Sequence, residues 1–418
     1  MAKSSSKIAI VVQRFGASII GGAETHARLV AEQLHKRAGL DVEVYTTTSR
    51  DYGTWDDSLP EGTSAESGLM VHRFRPRRRR GVSFKIINAL LKLGWEWAPS
   101  PLRAYLEGLW IRRQGPYVPQ LIEALVQRQE QYAGVIFFTY LYYPTLIGLP
   151  RVSRPKILVP TAHDERPFYL RQVRKLLAAA DLVFANTAAE ASLIQRAHGV
   201  DPSKLKVVGV GLERPSTIRK AELMEGAPLR LLYMGRVGPA KAVDQLVDFF
   251  TRALAAHPSL AATLRLVGPL EASYQPPTHH PHIQYLGVVT EEQKSEELRS
   301  ADIVINPSHH ESLSLLVLEG IMAHKLILVQ KDSAVLRDYA ERYATVLSYG
   351  TAEELAQGLM AARRRMSDPT ALRRDLAVSA SDVEAAYGWE AIVNMFTSGL
   401  SSLQKSKSQD EPPDKSHT

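Results

Sequence analysis

The residues of this chain whose types and spacing could do chemistry are two carboxylates eight apart, an Arg–Lys pair five apart, a glycine pair and one histidine. In the run Asn306-Pro307-Ser308-His309-His310-Glu311-Ser312-Leu313-Ser314-Leu315, Glu311 falls in a loop and Glu319 on the apolar helix that follows. Eight residues rise about 12 Å on a helix and turn about 80° past whole turns, so both carboxylates can face one ligand at different heights. Glu319, inside an apolar stretch, needs a partner because an unpaired buried carboxylate is costly. A ribose diol would serve, binding it bidentately. In Tyr233-Met234-Gly235-Arg236-Val237-Gly238-Pro239-Ala240-Lys241 the two cations can converge on one diphosphate and offset charge developing on a phosphate leaving group. Gly21-Gly22-Ala23-Glu24, at the start of an amphipathic helix, lets backbone approach a phosphate beside free amides. His163, after Pro160-Thr161-Ala162, stands where a strand-end side chain can hydrogen-bond a sugar or phosphate; such a lone histidine is more often structural. The absence of cysteine removes disulfides, thiolate metal sites and cysteine nucleophiles together. His279-His280-Pro281-His282 reads as a loop, so no metal site is expected.

Elements that place such residues at one edge must alternate. Apolar strand-like runs at 8–12, 42–46, 70–74, 134–139, 157–160 and 182–185 interleave with amphipathic helices at 23–37, 116–131, 170–179 and 188–198. A second series follows, with strands at 229–234, 263–267, 283–286, 303–306 and 327–330. Its helices fit 242–257, 291–300, 313–323, 334–340 and 352–365. This alternation means parallel sheets with helices on both faces, and two doubly wound domains is the simplest reading. The expected division is a first domain over 1–208, a linker over 209–228 and a second domain over 229–380. A closing helix over 381–400 and a disordered tail over 401–418 complete it. Ligands bind outside the carboxyl ends of strands in such sheets, so the expected site is a cleft between the two domains' carboxyl edges. The uncharged window 131–150 reads as a buried strand leaving into a loop, not a membrane span. The first twelve residues read as a strand and not a signal peptide, which implies a cytoplasmic protein.

Charge is concentrated. The chain carries 51 Lys plus Arg against 44 Asp plus Glu, a formal +7. The window 70–115 alone holds eleven basic residues against Glu96 and Glu107, a net +9, leaving −2 elsewhere. Within it Arg75 to Arg80 supply five arginines in six positions, followed by apolar Ile86, Ile87, Leu90, Leu91 and Leu93 at helical spacing. That texture suits the face of an anionic membrane, or a solvated loop beside an ordinary core helix. No nucleic-acid module accompanies the charge, so nucleic acid is not an expected partner.

In this order, these motifs resemble the retaining glycosyltransferases of family 4, the glycosyl transferases group 1, whose fold is GT-B: two Rossmann-like domains facing across a cleft. Glu311 and Glu319 match the family's Glu-x7-Glu, Gly235, Arg236 and Lys241 its Gly-Arg-x4-Lys, and Gly21, Gly22 and Glu24 its Gly-Gly-x-Glu. The resemblance implies that Arg236 and Lys241 hold the donor diphosphate, Glu319 the ribose and Glu311 the sugar hydroxyls. It implies that backbone at Ser312, Leu313, Ser314 and Leu315 contacts sugar or phosphate, that His163 lies beside the transferred sugar, and that Gly22 lies near the phosphates. Such enzymes need no cofactor or metal, the nucleoside diphosphate sugar being a co-substrate. The chain departs from the family pattern at Ser312-Leu313-Ser314, at Ala242 where glycine is usual, and at Ala323-His324-Lys325-Leu326. The expected activity is transfer of a hexose to a glycan or lipid-linked acceptor in surface polysaccharide synthesis, on the inner face of the plasma membrane. A sugar-nucleotide epimerase on the same fold and a non-catalytic homologue acting as a binding partner are the alternatives.

Overall fold

A computed structural model describes residues 7–19, 21–95, 99–213, 227–271, 274–277, 280–311 and 313–410, with side chains through Lys405. The chain divides into two units, 1–211 with 389–418, and 212–388.

The first unit is built on eight strands: β1 Lys7–Val11, β2 Asp41–Thr47, β3 Gly62–Glu66, β4 Leu69–Phe74, β5 Gly134–Phe138, β6 Lys156–Val159, β7 Leu182–Ala185 and β8 Leu205–Val207. Their order is β3-β4-β2-β1-β5-β6-β7-β8, parallel except for β3. Strand side chains alternate between faces, and the apolar runs sort accordingly. Ile8, Ile10, Ile136, Phe138, Ile157 and Val159 enter one core. Ala9, Val11, Val135, Phe137 and Leu158 enter the other. A sheet buried on both faces explains why these strands read as unbroken apolar runs. Its helices are α1 Gly22–Ala38, α2 Val82–Leu93, α3 Ser100–Gln114, α4 Pro119–Arg128, α5 Tyr143–Gly148, α6 Arg171–Ala179 and α7 Ala188–His198.

The second unit has β9 Leu229–Met234, β10 Ala262–Val267, β11 Ile283–Gly287, β12 Ile303–Asn306, β13 Leu326–Gln330 and β14 Val346–Tyr349. All pair in parallel, in the order β11-β10-β9-β12-β13-β14. That is the doubly wound order whose direction reverses between β9 and β12, the place where such sheets bind ligands. Around it lie α8 Val243–Ala256, α9 Glu291–Ser300, α10 Leu315–Met322, α11 Ala334–Arg342, α12 Ala352–Met366 and α13 Pro369–Tyr387. The last helix, α14 Trp389–Asp410, belongs to the first unit, where Trp389, Ile392, Phe396 and Leu400 join the core that α1 also covers.

Several expectations need correction. The second unit runs to Gly388, not 380, because α13 continues to Tyr387 and the break falls at Gly388. The tail expected from residue 401 is helical through Asp410. Leu403 still packs on the core there, and Gln404 Nε2 donates to the Ala133 carbonyl. Residues 411–418 and most of the linker lie outside the described residues. The strand expected at 70–74 is β4, and it buries Arg73 of the basic window against Glu66. The loop expected after β5 covers 139–142 and leads into helix α5, which was not read from sequence, nor were β3, α3 and β14. Among the described residues no helix is long and apolar enough to cross a membrane.

Candidate functional site

In the second unit the loop leaving β9 is shaped by glycine. Gly268, at φ 132°, lies so close beneath it that a Cβ there would stand 1.9 Å from the Gly235 carbonyl oxygen. The Tyr233 hydroxyl donates to the Arg236 carbonyl at 2.8 Å, and the Glu271 carboxylate accepts from the Ala240 amide at 3.2 Å. This backbone presents Arg236 as an exposed guanidinium with no ion pair among the described residues. Lys241, at the loop's end, places its ammonium 2.9 Å from Glu311 Oε1.

Glu311 comes from the neighbouring loop, after β12, so the pair spans the point where strand order reverses. Asn306, the buried last residue of β12, organises that loop. Its Nδ2 donates to Ser314 Oγ at 2.7 Å and to Glu311 Oε1 at 3.4 Å, while its Oδ1 accepts from the Ser308 amide at 2.9 Å. Ser314 caps α10, accepting from the Val317 amide, and the helix's first amides have no intrahelical acceptor. Leu313 and Ser314 are buried, so their backbone and not their side chains is what this loop offers. Ser312 lies outside the described residues.

Glu319 sits on α10, which approaches the sheet closely through Gly320. A Cβ there would meet Ile327 at 2.7 Å and Val304 at 3.1 Å. The Glu319 carboxylate takes the Lys294 ammonium at 3.2 Å. Burial disfavours the charged Lys294, but Glu319 and Glu291 outweigh it and hold its pKa above the ordinary value. Both signature carboxylates are thus paired with lysines from other elements. Lys294 and Asn306 were missed from sequence, since nothing in their neighbours distinguishes them from an exposed helix lysine and a strand-end amide.

In the first unit, Gly21 precedes α1 in extended conformation, and a Cβ on it would collide with Glu24. Gly22 has open space around its α-carbon. The Glu24 carboxylate is buried and occupied: Arg14 donates to it through Nε at 2.8 Å and Nη2 at 2.6 Å, and Gln13 at 2.9 Å. It therefore fixes the glycine turn against the end of β1.

His163 is exposed in the loop after β6, its carbonyl accepting from the Glu165 amide at 2.9 Å. Fully buried Glu190, at the start of α7, grips that loop. Its Oε1 accepts from the Ala162 amide at 2.5 Å and its Oε2 from the Asn186 amide at 2.7 Å. Burial lifts the Glu190 pKa to about 7, although those amides pull it down. Among the described residues no group of three His, Cys, Asp or Glu is placed to hold a metal ion.

The second sheet's strand order and the paired parallel sheets define a GT-B fold, and solved structures agree. Anabaena HepE, in complex with UDP and glucose, matches with TM-score 0.61 at 15% identity, over 95% of this chain and 100% of that one. Sucrose-phosphate synthase of Thermosynechococcus elongatus matches with TM-score 0.66 at 15% identity, over 96% and 100%. The family model for glycosyl transferases group 1 matches residues 228–363, and that for the glycosyl transferase 4-like domain matches 21–211. The D-inositol 3-phosphate glycosyltransferase of Geodermatophilus obscurus is 32% identical over 331 residues, 73% of this chain and 69% of that protein. A second such relative, from Catenulispora acidiphila, is 28% identical over 52% of this chain, which spans 55% of its length. The chain belongs to the group 1 glycosyl transferases, glycosyltransferase family 4.

Proposed function

We propose that the chain is a retaining hexosyltransferase that uses a nucleoside diphosphate sugar without a metal ion. The observation that carries this is the pairing of Lys241 with Glu311 across the β9–β12 reversal, with exposed Arg236 on the same loop. The two cations take the donor diphosphate, Glu319 the ribose and Glu311 the sugar hydroxyls. The bond from the anomeric carbon to the diphosphate oxygen breaks as the acceptor oxygen attacks the same face. The acceptor proton passes to the departing phosphate, whose charge Arg236 and Lys241 stabilise. Gly21 and Gly22 supply approachable backbone, with Glu24 holding the turn, and His163 borders the sugar.

The acceptor is a glycan or lipid-linked sugar of surface polysaccharide synthesis, and the enzyme works on the cytoplasmic side, peripheral to an anionic membrane. The names of its relatives favour a second acceptor reading, an inositol phosphate. Thermal shifts against UDP-, GDP-, ADP- and TDP-sugars, with EDTA present, test the donor half, because a ligand of the folded state raises its melting temperature. A shift with one donor supports the reading and opens an acceptor screen that includes inositol phosphates. No shift across the panel removes the transferase reading in favour of a non-catalytic homologue.

A further inference from the structure

Helix α2 is apolar on two sides. Ile87 and Leu91 turn inward and join a core with Trp95 and Trp110. The opposite stripe stays open: Val82 is 70% exposed, Ile86 60%, Leu90 44% and Leu93 82%. Spacings of four, four and three residues set these side chains along one line of the helix. Helix α3, packed beside α2, adds exposed Leu102 and Tyr105. An apolar stripe of this length on a helix surface is the kind of patch that marks an interaction site.

The charge around it is sorted by the fold. Arg80 does not face outward: it lies against the rings of Trp55 and Phe84 and donates to the Gln114 carbonyl at 2.8 Å. Arg75 pairs with Asp57 at 2.8 Å. Exposed Arg77, Arg79, Lys85 and Lys92 have no ion pair among the described residues. Glu107, the one acidic side chain described between 70 and 115, is buried and accepts from the backbone amides at the start of α6. What remains is an apolar stripe flanked by cations with no ion pair among the described residues, while the exposed carboxylates of Asp164 and Glu165, just before the turn 166–169 that packs on α2, accept from the Tyr169 and Tyr140 hydroxyls.

The geometry points to insertion of this stripe into an anionic lipid bilayer, with α2 and α3 lying in the interface and the basic side chains reaching acidic headgroups. This deepens the peripheral placement proposed above and rests on it. Nucleic acid would use the cations and leave the stripe wet. A bilayer satisfies both features at once.

The test is sedimentation of the full chain with phosphatidylcholine vesicles, with or without about 30% phosphatidylglycerol. The wild type should bind the anionic vesicles at least about tenfold more tightly than the neutral ones. Ile86→Asp with Leu93→Asp, both at exposed positions, should lower that binding at least about tenfold. The melting temperature and the donor thermal shift should not change. Arg77→Gln with Lys85→Gln should weaken binding and flatten its salt dependence. Vesicle binding by the doubly substituted stripe at wild-type strength would overturn insertion, as would a wild type that ignores vesicles. Stripe-dependent self-association without vesicle binding would assign the face to a second copy instead. Loss of the donor shift in the wild type bears on the transferase reading alone.

Discussion

Lys241 is held by Glu311 at 2.9 Å, and the two belong to loops from different strands. A diphosphate arriving at this point would compete with the carboxylate for the ammonium, so Lys241 has to be replaced to learn its catalytic weight. Lys241→Ala should lower kcat at least about 100-fold, in line with loss of other stabilisers of transition-state charge. Steady-state rates with saturating donor check it, and a near-normal kcat would remove Lys241 from the chemistry. Glu190 offers a prediction of the opposite kind. Its folded-state pKa, about 7, lies above the ordinary 4.5. The folded chain therefore favours the protonated form, and stability present below pH 4.5 falls as pH rises through about 7. Glu190→Gln should remove that decline, which melting temperatures of both proteins across this range would show. The signature pairs were legible because charged residues stood beside glycines or inside apolar runs. Glu190 was not, because Ala188-Ala189-Glu190-Ala191 reads as the wet side of a helix until the loops after β6 and β7 close over it.

Backbone geometry explains features of the elements that composition hides. The loop carrying Arg236 leaves no room for a side chain at Gly268, where backbone would meet backbone. Gly268→Ala should cost at least about 2 kcal/mol through overpacking at a left-handed residue and should displace the Arg236 loop. Chemical denaturation together with a donor titration checks both effects; wild-type stability would mean that the loop yields freely. Two departures from the family's sequence pattern, Ala242 and His324, hold left-handed backbone at φ 53° and 57°. Glycine would take those conformations without strain, whereas a β-carbon there costs about 1 kcal/mol. The central strands of both sheets were readable because burial on two faces makes them continuously apolar. Strand β3, Gly-Thr-Ser-Ala-Glu, was unreadable because an antiparallel edge needs no such pattern. The arginine run looked uniform in sequence, and only packing separates clamped Arg80 from exposed Arg77 and Arg79.

At the scale of the whole molecule, acid sensitivity should centre on Glu43. Burial alone would raise its pKa, but Lys7, Tyr132, His72 and Arg128 together depress it to about 2, from an ordinary 4.5. The stability this gives is complete above pH 4.5 and is lost as pH falls towards 2. Glu43→Gln should cost about 2 kcal/mol at neutral pH and flatten that acid limb, as urea titrations at several pH values would register. The alternation of strands and helices made the two-unit plan readable. The exact end of the second unit was not, because α13 and α14 are separated by a single glycine that looks like many others. The placement of α14 has a temporal consequence. Its residues fill the first unit's core, yet they follow the whole second unit along the chain. On the ribosome the second unit has its whole sequence available while the first still lacks Trp389, Ile392 and Phe396. The first unit is therefore begun before the second and completed only after it, and its unfinished apolar face is what chaperones would meet during translation.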